Sequence, residues 1–418
     1  AVRHAAYYID FLVTQGDGSE TGQRQAILAE LPNIRLAWEG IARQQQESAL
    51  LRAAKPLHGF YSAQSWFQEG IEAFQFALNQ FTVDPAPSAE RAEIICDLLN
   101  RKARLHIHIG QLAAARQALA DAMTALPLVQ DPERHAATLG YVAITHFYAG
   151  DFHRAAELAA ESLRLAEASG NAEGMAFANN FLGSCHKALG DYDQAGTYFR
   201  RSAAIYRQQH DQLGEAMTLN NLGNLAQATG DFATAQAYYL ECSALFKAIN
   251  HTHGAATTLA NAGRLALKQN DYTQARQLLL ESLALKRAQN DERGTAVALV
   301  GLGGVSVAAG ELVQAAAELN EALALARQCG DLKLTLEALN VQAALKARCG
   351  QPDQACQLLA YILGNKATAQ EVRDAAEGLL AEVTAVLSPA AVAEAAAAGA
   401  KLNLETAVAL AVGGEKRP

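Results

Sequence analysis

Large apolar residues return at a fixed interval along most of this chain. One column runs Phe152, Tyr192, Phe232, Tyr272, Leu312; a second runs Phe199, Tyr239, Leu279, Leu319; a third runs Leu165, Ile205, Leu245, Leu285, Leu325. Members of each column are 40 positions apart. Small residues keep the same beat. Alanine occupies 115, 155, 195, 235, 275, 315 and 355, and glycine occupies 183, 223, 263 and 303, with Ala143 and Ala343 at the ends of that column. Between the apolar blocks lie polar turn pairs such as Gly150-Asp151, Gly190-Asp191, Gly230-Asp231 and Asn270-Asp271, with a second set midway at Gly170-Asn171, His210-Asp211, Asn250-His251, Asn290-Asp291 and Gly330-Asp331. The chain therefore turns about every 20 residues, and each block predicts a helix of roughly 17 residues, about 25 Å long.

The turn chemistry agrees. Glycine ahead of the break ends a helix in the left-handed region, and Asp or Asn after it caps the next one through its side-chain oxygen. Asp191 with Gln194 and Asp271 with Gln274 have the spacing of a capping box. Small residues beside large ones let antiparallel helices approach closely and interdigitate. The expected fold is all-α, a solenoid of antiparallel helix pairs with a 40-residue period. About seven pairs span 88–365. Residues 1–87 read as an atypical N-terminal helical cap, interrupted by Pro32, Pro56, Pro85 and Pro87 and closed by a loop at Thr82–Ser88. Residues 366–418 read as a C-terminal helical cap.

Composition narrows the function. Half the residues are apolar, only 6% are aromatic, and nine are proline. Lys and Arg number 34 against 43 Asp and Glu, for a net charge of −9, which argues against direct nucleic-acid contact by this segment. Six scattered cysteines form no C-x-x-C pair, so reduced thiols and a cytoplasmic location are expected. No apolar stretch is long enough to suggest a membrane span. The first residue is alanine, consistent with an excised fragment or with removal of an initiator methionine.

The Leu-Gly pairs at Leu182-Gly183, Leu222-Gly223 and Leu302-Gly303, each followed twelve residues later by Ala195, Ala235 or Ala315, resemble the tetratricopeptide repeat. The usual repeat has 34 residues; this one has 40 and lacks the common terminal proline. The resemblance implies a right-handed superhelix whose first helices line a concave groove. At the ends, Arg3-His4-Ala5-Ala6-Tyr7-Tyr8, Leu31-Pro32-Asn33-Ile34-Arg35-Leu36-Ala37-Trp38, Phe67-Gln68-Glu69-Gly70 and Gly399-Ala400-Lys401-Leu402-Asn403-Leu404-Glu405 resemble segments of bacterial signal-transduction ATPases with numerous domains, including LuxR-like and maltose-activator-type transcriptional regulators. That resemblance implies an ATPase module elsewhere in the full-length protein. No Gly-Lys pair occurs here, so the chain itself carries no phosphate-cradling loop.

No catalytic constellation, cofactor site or metal site is suggested. His106 and His108 point to different helix faces. His251-x-His253 falls in a turn, and His146 and His186 share a column best explained by packing between neighbouring repeats. The column Glu161, Glu241, Glu281, Glu321 reads as a solvated face. The better candidates flank the Leu-Gly pairs on the first helices: Asn180, Lys187, Asn220, Asn221, Asn224, Gln227, Asn261 and Arg264. Asparagine is a poor helix former, and its amide both donates and accepts, as needed to hold an extended peptide backbone. The alternative role for these amides is to bond neighbouring repeats together. Further along, Ala260, Val300, Gly301 and Gly304 make the same face apolar, which suits a ligand with one polar and one apolar end. The expected function is a sensor region that binds a protein, a peptide or a small effector in the groove and biases the ATPase module; a free-standing adaptor is the alternative.

Overall fold

The structure is a computed structural model that describes residues 2–16, 21–81 and 88–413. Among these are twenty-one α-helices and one 3-10 turn. In chain order they are α1 Val2–Gln15, α2 Thr21–Arg43, α3 Glu47–Ala63, α4 Phe67–Asn79, α5 Ala89–His108, α6 Leu112–Ala125, α7 Pro132–Tyr148, α8 Phe152–Ser169, α9 Ala172–Leu189, α10 Tyr192–Gln208 and α11 Gln212–Ala228. Then follow α12 Phe232–Ala248, α13 Thr252–Lys268, α14 Tyr272–Ala288, α15 Glu292–Ala309, α16 Leu312–Cys329, α17 Leu332–Arg348, α18 Pro352–Gly364, α19 Gln370–Thr384, α20 Pro389–Gly399 and α21 Leu404–Val412. The 3-10 turn, Leu126–Leu128, follows α6 and contains Pro127.

The 20-residue beat is a beat of left-handed turn residues. Gly110, Gly150, Gly170, Gly190, Gly230, Gly310, Gly330 and Gly350 all have φ near +70° to +85°, and His210, Asn250, Asn270 and Asn290 fill the same role at +52° to +63°. Gln45 and Ser65 repeat this geometry, 20 residues apart, in the N-terminal region. Capping follows: Asp151, Asn171, Asp191, Asp211, Asp231, Asp271, Asp291 and Asp331 each accept a bond from the backbone N–H three residues on. The boxes expected at Asp191 and Asp271 form only this half; the complete box among the described residues is Asn403 with Thr406.

The small-and-large columns meet face to face. All seven alanines of the 115–355 column are fully buried. A Cβ added at Gly183, Gly223, Gly263 or Gly303 would stand 2.5–2.7 Å from the side chain of Phe199, Tyr239, Leu279 or Leu319. Glycine is needed there because the large residue of the second helix lies directly on the backbone of the first. A buried hydroxyl column ties the same pairs together: Ser162, Ser202 and Ser282 donate to the carbonyls of Ala136, Ala176 and Ala256 at 2.7–2.8 Å.

Pro32 and Pro56, expected to interrupt the N-terminal region, lie inside continuous helices α2 and α3. Each forfeits one backbone bond. The helices persist because Ile34, Trp38 and Ile41, and Leu50, Ala53 and Leu57, are buried in a single core running from Ala5 to Val129. Apart from Ser88, which caps α5, the expected loop at Thr82–Ser88 falls outside the described residues.

The first helices of successive pairs, α5, α7, α9, α11, α13, α15 and α17, pack on one another along the array. The second helices do so far less, so the stack curves with the first helices inside. It curves far enough for α7 to meet α17. The turn at Gly150 abuts Ala367, where an added Cβ would stand 2.2 Å from the alanine methyl; that glycine is required by its φ of +81° and by the crossing. Arg293 lies over the Tyr148 ring at 4.3 Å. Phe67 of α4 stacks on His108, which meets His253 edge-on at 5.7 Å.

Candidate functional site

Four of the six amides among the eight sequence-predicted residues pair in two rungs on the inner wall. Asn221 donates through Nδ2 to Asn180 Oδ1 at 3.0 Å, and Asn261 donates likewise to Asn220 Oδ1 at 3.0 Å. In both the partner is 41 residues away, so each bond crosses from one repeat to the next. Asn224 and Gln227 both accept from the Tyr239 hydroxyl, at 2.8 and 3.0 Å. Asn220, Asn261 and Gln227 are buried, whereas Asn180, Asn221 and Asn224 are only half-buried. An amide has two donors and one acceptor oxygen, so these three keep groups that their protein bonds do not use.

The two cations of the set lie further down the wall and meet residues far off in sequence. Lys187 pairs with Glu371 at 3.0 Å, and Lys268 reaches the same carboxylate at 3.3 Å. Arg264 pairs with Glu337 at 3.0 Å, with Lys333 at 4.0 Å from that carboxylate. Glu371 opens α19, which therefore crosses the inner face from the end of α9 to α17. Burial pushes the Glu371 carboxyl up, but Lys187, Arg264 and Lys268 outweigh it and hold it well below the usual range. Glu337 is likewise lowered, burial being overcome by Arg264 and Lys333. Glu371 and Glu337 carry no periodic signal, because they bind across the curvature rather than along the repeat.

A second polar cluster sits deeper. Lys286 occupies the column held by Tyr206 and Phe246 in preceding repeats, and its stem covers Gly294 as those rings cover Gly214 and Gly254. Its ammonium, almost fully buried, pairs with Asp291 at 3.0 Å and donates to Thr257 Oγ1 at 2.8 Å. Burial lowers the Lys286 pKa, against the pull of Asp291. His251 and His253 stand beside it. Burial first, then Lys286, lowers both, His251 to about 4, so both rings are neutral at neutral pH. His251 caps α13, accepting from Gly254 N through Nδ1.

His146 and His186, placed by sequence at contacts between repeats, instead each lie 3.3 Å from the capping aspartate of the following turn, Asp151 or Asp191. The Glu161, Glu241, Glu281 and Glu321 column is exposed. No group of three potential metal ligands occurs among the described residues, their six cysteines are unpaired, and no described helix is long and apolar enough to cross a membrane.

The wall becomes apolar toward α15 and α17. Of the four residues that suggested this change, Ala260, Val300 and Gly301 are buried in packing, and Gly304 lines an open cleft of about 600 Å³ between α15, α17 and α19.

A tetratricopeptide-repeat family profile matches residues 174–248 and 215–288. No curated protein matches the sequence. Among solved structures, a Rap protein complexed with competence and sporulation factor shares 14% identity over 94% of this chain and 100% of its own, with a TM-score of 0.53. The apo quorum sensor NprR from B. thuringiensis shares 13% over 86% of this chain and 97% of its own, at 0.50. A signal-transduction ATPase with a tetratricopeptide-repeat sensor from Pyrococcus horikoshii shares 10% over 79% of this chain and 55% of its own, at 0.47. At these identities the likeness is one of fold. The fold is a tetratricopeptide-type solenoid.

Proposed function

We propose that this chain is the sensing region of a regulator and that its inner wall binds a peptide or a protein segment. The observation that carries the reading is the row Asn180, Asn221 and Asn224: half-buried amides on adjacent first helices, with donor and acceptor groups left over after the ladder is made. A peptide backbone offers the complementary groups at regular spacing. The same fold supports peptide recognition in NprR, one of whose structures is in complex with its cognate peptide NprX. α19 is the element best placed to report binding. It crosses the wall and is held to α9 and α13 through Glu371, so a ligand that displaces this contact shifts an equilibrium between two positions of α19. The N-terminal and C-terminal segments that resemble signal-transduction ATPases support an ATPase module as the recipient of that shift; a full reading frame that encodes no such module would make the chain a free-standing adaptor instead.

The test is selection of a random heptapeptide library on the chain, followed by comparison with a variant carrying Asn180→Ala, Asn221→Ala and Asn224→Ala. Selected peptides should bind the parent and lose at least tenfold on the variant, with its helical circular dichroism unchanged. Equal binding by both proteins, or a variant that no longer folds, overturns the reading.

A further inference from the structure

Met217 is the large apolar side chain that the array leaves exposed, at 42%, on a first helix. The others so exposed among the described residues belong to second helices, the 3-10 turn, the N-terminal region or the C-terminal end. Met217 lies four residues before Asn221 on α11, so the two share one face, about 6 Å apart along the axis. One repeat earlier, Phe177 lies three residues before Asn180 on α9, again on a shared face. Phe177 is half-buried, leans over the backbone of Gly140 and meets the Tyr141 ring edge-on at 5.5 Å. Asn221 donates to Asn180 across the two helices at 3.0 Å, so one rung ties both faces together. On the N-terminal side of that rung stand Phe177 and Met217, with half-buried Leu213 a further turn away. On its C-terminal side stand Ser184 and Asn224, half-buried and polar. The wall is thus apolar on one side of the rung and polar on the other.

This division selects among occupants. A helix also covers Met217, but its backbone groups are bonded internally and leave the spare amide groups of Asn180 and Asn221 unmet. A lipid chain leaves them unmet as well. An extended segment laid across α9 and α11, one edge on the rung, offers N–H and C=O groups to the amides. Its side chains then point alternately to the two sides of the rung. We propose that Met217 and Phe177 form a shelf for one large apolar side chain of such a segment, whose two sequence neighbours are polar and face Ser184 and Asn224. Main-chain bonds to the rung are the same for every sequence, so the shelf decides which sequence binds. The proposal rests on the inner wall being a peptide surface and adds what the peptide must carry.

The experiment is selection of a random heptapeptide library on the full chain and on Met217→Gln, a polar side chain of similar length at an exposed position. Peptides from the parent should carry Leu, Met or Phe at one position with polar residues on both sides. Changing that residue to alanine in a selected peptide should weaken binding to the parent about tenfold, the loss of one buried apolar side chain. On Met217→Gln the same change should cost no more than about twofold, because its partner is already gone. Equal costs on the two proteins overturn the proposal. So does a parent pool without an apolar preference, whatever the variant does, and so does a pool whose apolar residues recur three and four apart, the spacing of a helix. Peptides that are lost with Asn180→Ala, Asn221→Ala and Asn224→Ala but are indifferent to Met217→Gln refute the shelf and leave the sensing reading standing. A parent that selects no peptide removes both.

Discussion

Gly223 and Asn221 lie two residues apart on α11 and face in different directions. Gly223 looks into its own helix pair, where the ring of Tyr239 covers its backbone; Gly183, Gly263 and Gly303 repeat the arrangement in neighbouring pairs with Phe199, Leu279 and Leu319. Asn221 looks into the curve, where it meets Asn180; its counterparts are Asn261, which is buried, and Gly301, which packs on Leu279. The seam within a pair is the same problem solved again and again, so its residues scarcely change. The inner wall is a different problem at every repeat, because each meets a different stretch of distant chain. Variation confined to one face of a regular stack is where a specific surface can be built without disturbing the fold.

The contrast can be broken at its irregular point. Asp291 and Asp231 cap α15 and α12 in the same way, but only Asp291 also balances a buried ammonium. Asp291→Ala should destabilise by about 3–5 kcal/mol, because Lys286 is left buried without its carboxylate. Asp231→Ala should cost several-fold less, since it removes a cap alone. Urea denaturation gives both, and equal values would mean that the Lys286 pair contributes nothing beyond the cap. Within the seam, Gly223→Val should cost about 1–3 kcal/mol by driving a methyl-bearing carbon into the Tyr239 ring. On the wall of the same helix, Asn221→Ala should cost no more than about 1.5 kcal/mol, one hydrogen bond, while still impairing peptide binding.

Acid should separate the regions more gently. His58, His108, His251 and His253 all have pKa values lowered first by burial, with His251 at about 4 against an ordinary 6.5. The unfolded chain therefore takes up more protons than the folded one between these values. Stability contributed by the neutral rings is complete above about pH 6.5 and declines as pH falls toward 4. Glu371 and Glu337, whose carboxyls are lowered, add to the loss once pH drops below their ordinary 4.5. The melting temperature should fall steadily from pH 6.5 downward, and His253→Gln should flatten that slope. A flat profile to pH 4.5 would show that the rings are open to solvent.

How far the structure could be read in advance follows the same division. The turns at Gly150, Gly190 and Gly230, the capping aspartates and the alanine column are local or nearest-neighbour features, and each is visible as a residue type at a set spacing. The serine column at Ser162, Ser202 and Ser282 has the same periodicity and was available to the same reading. Pro32 and Pro56 misled because proline's local preference was outweighed by the burial of the helices around them. The eight candidate residues lie on the first helices α9, α11 and α13, but their partners were not apparent: Lys187 finds Glu371 across 184 residues, and Arg264 finds Glu337 across 73.

By itself, then, the sequence determined a stack of paired helices, their lengths, their caps and the face each pair turns inward, because all of these depend on neighbours within one or two repeats. Only the tertiary structure decided how tightly the stack winds, that α19 lies across the inner wall, that Lys286 is buried beside Asp291, and that Gly304, Asn340 and Arg348 share a cleft with Glu382. The winding and the crossing of α19 depend on a small rotation added at every repeat. Its sum brings residues five or more repeats apart together, and no spacing along the chain encodes it.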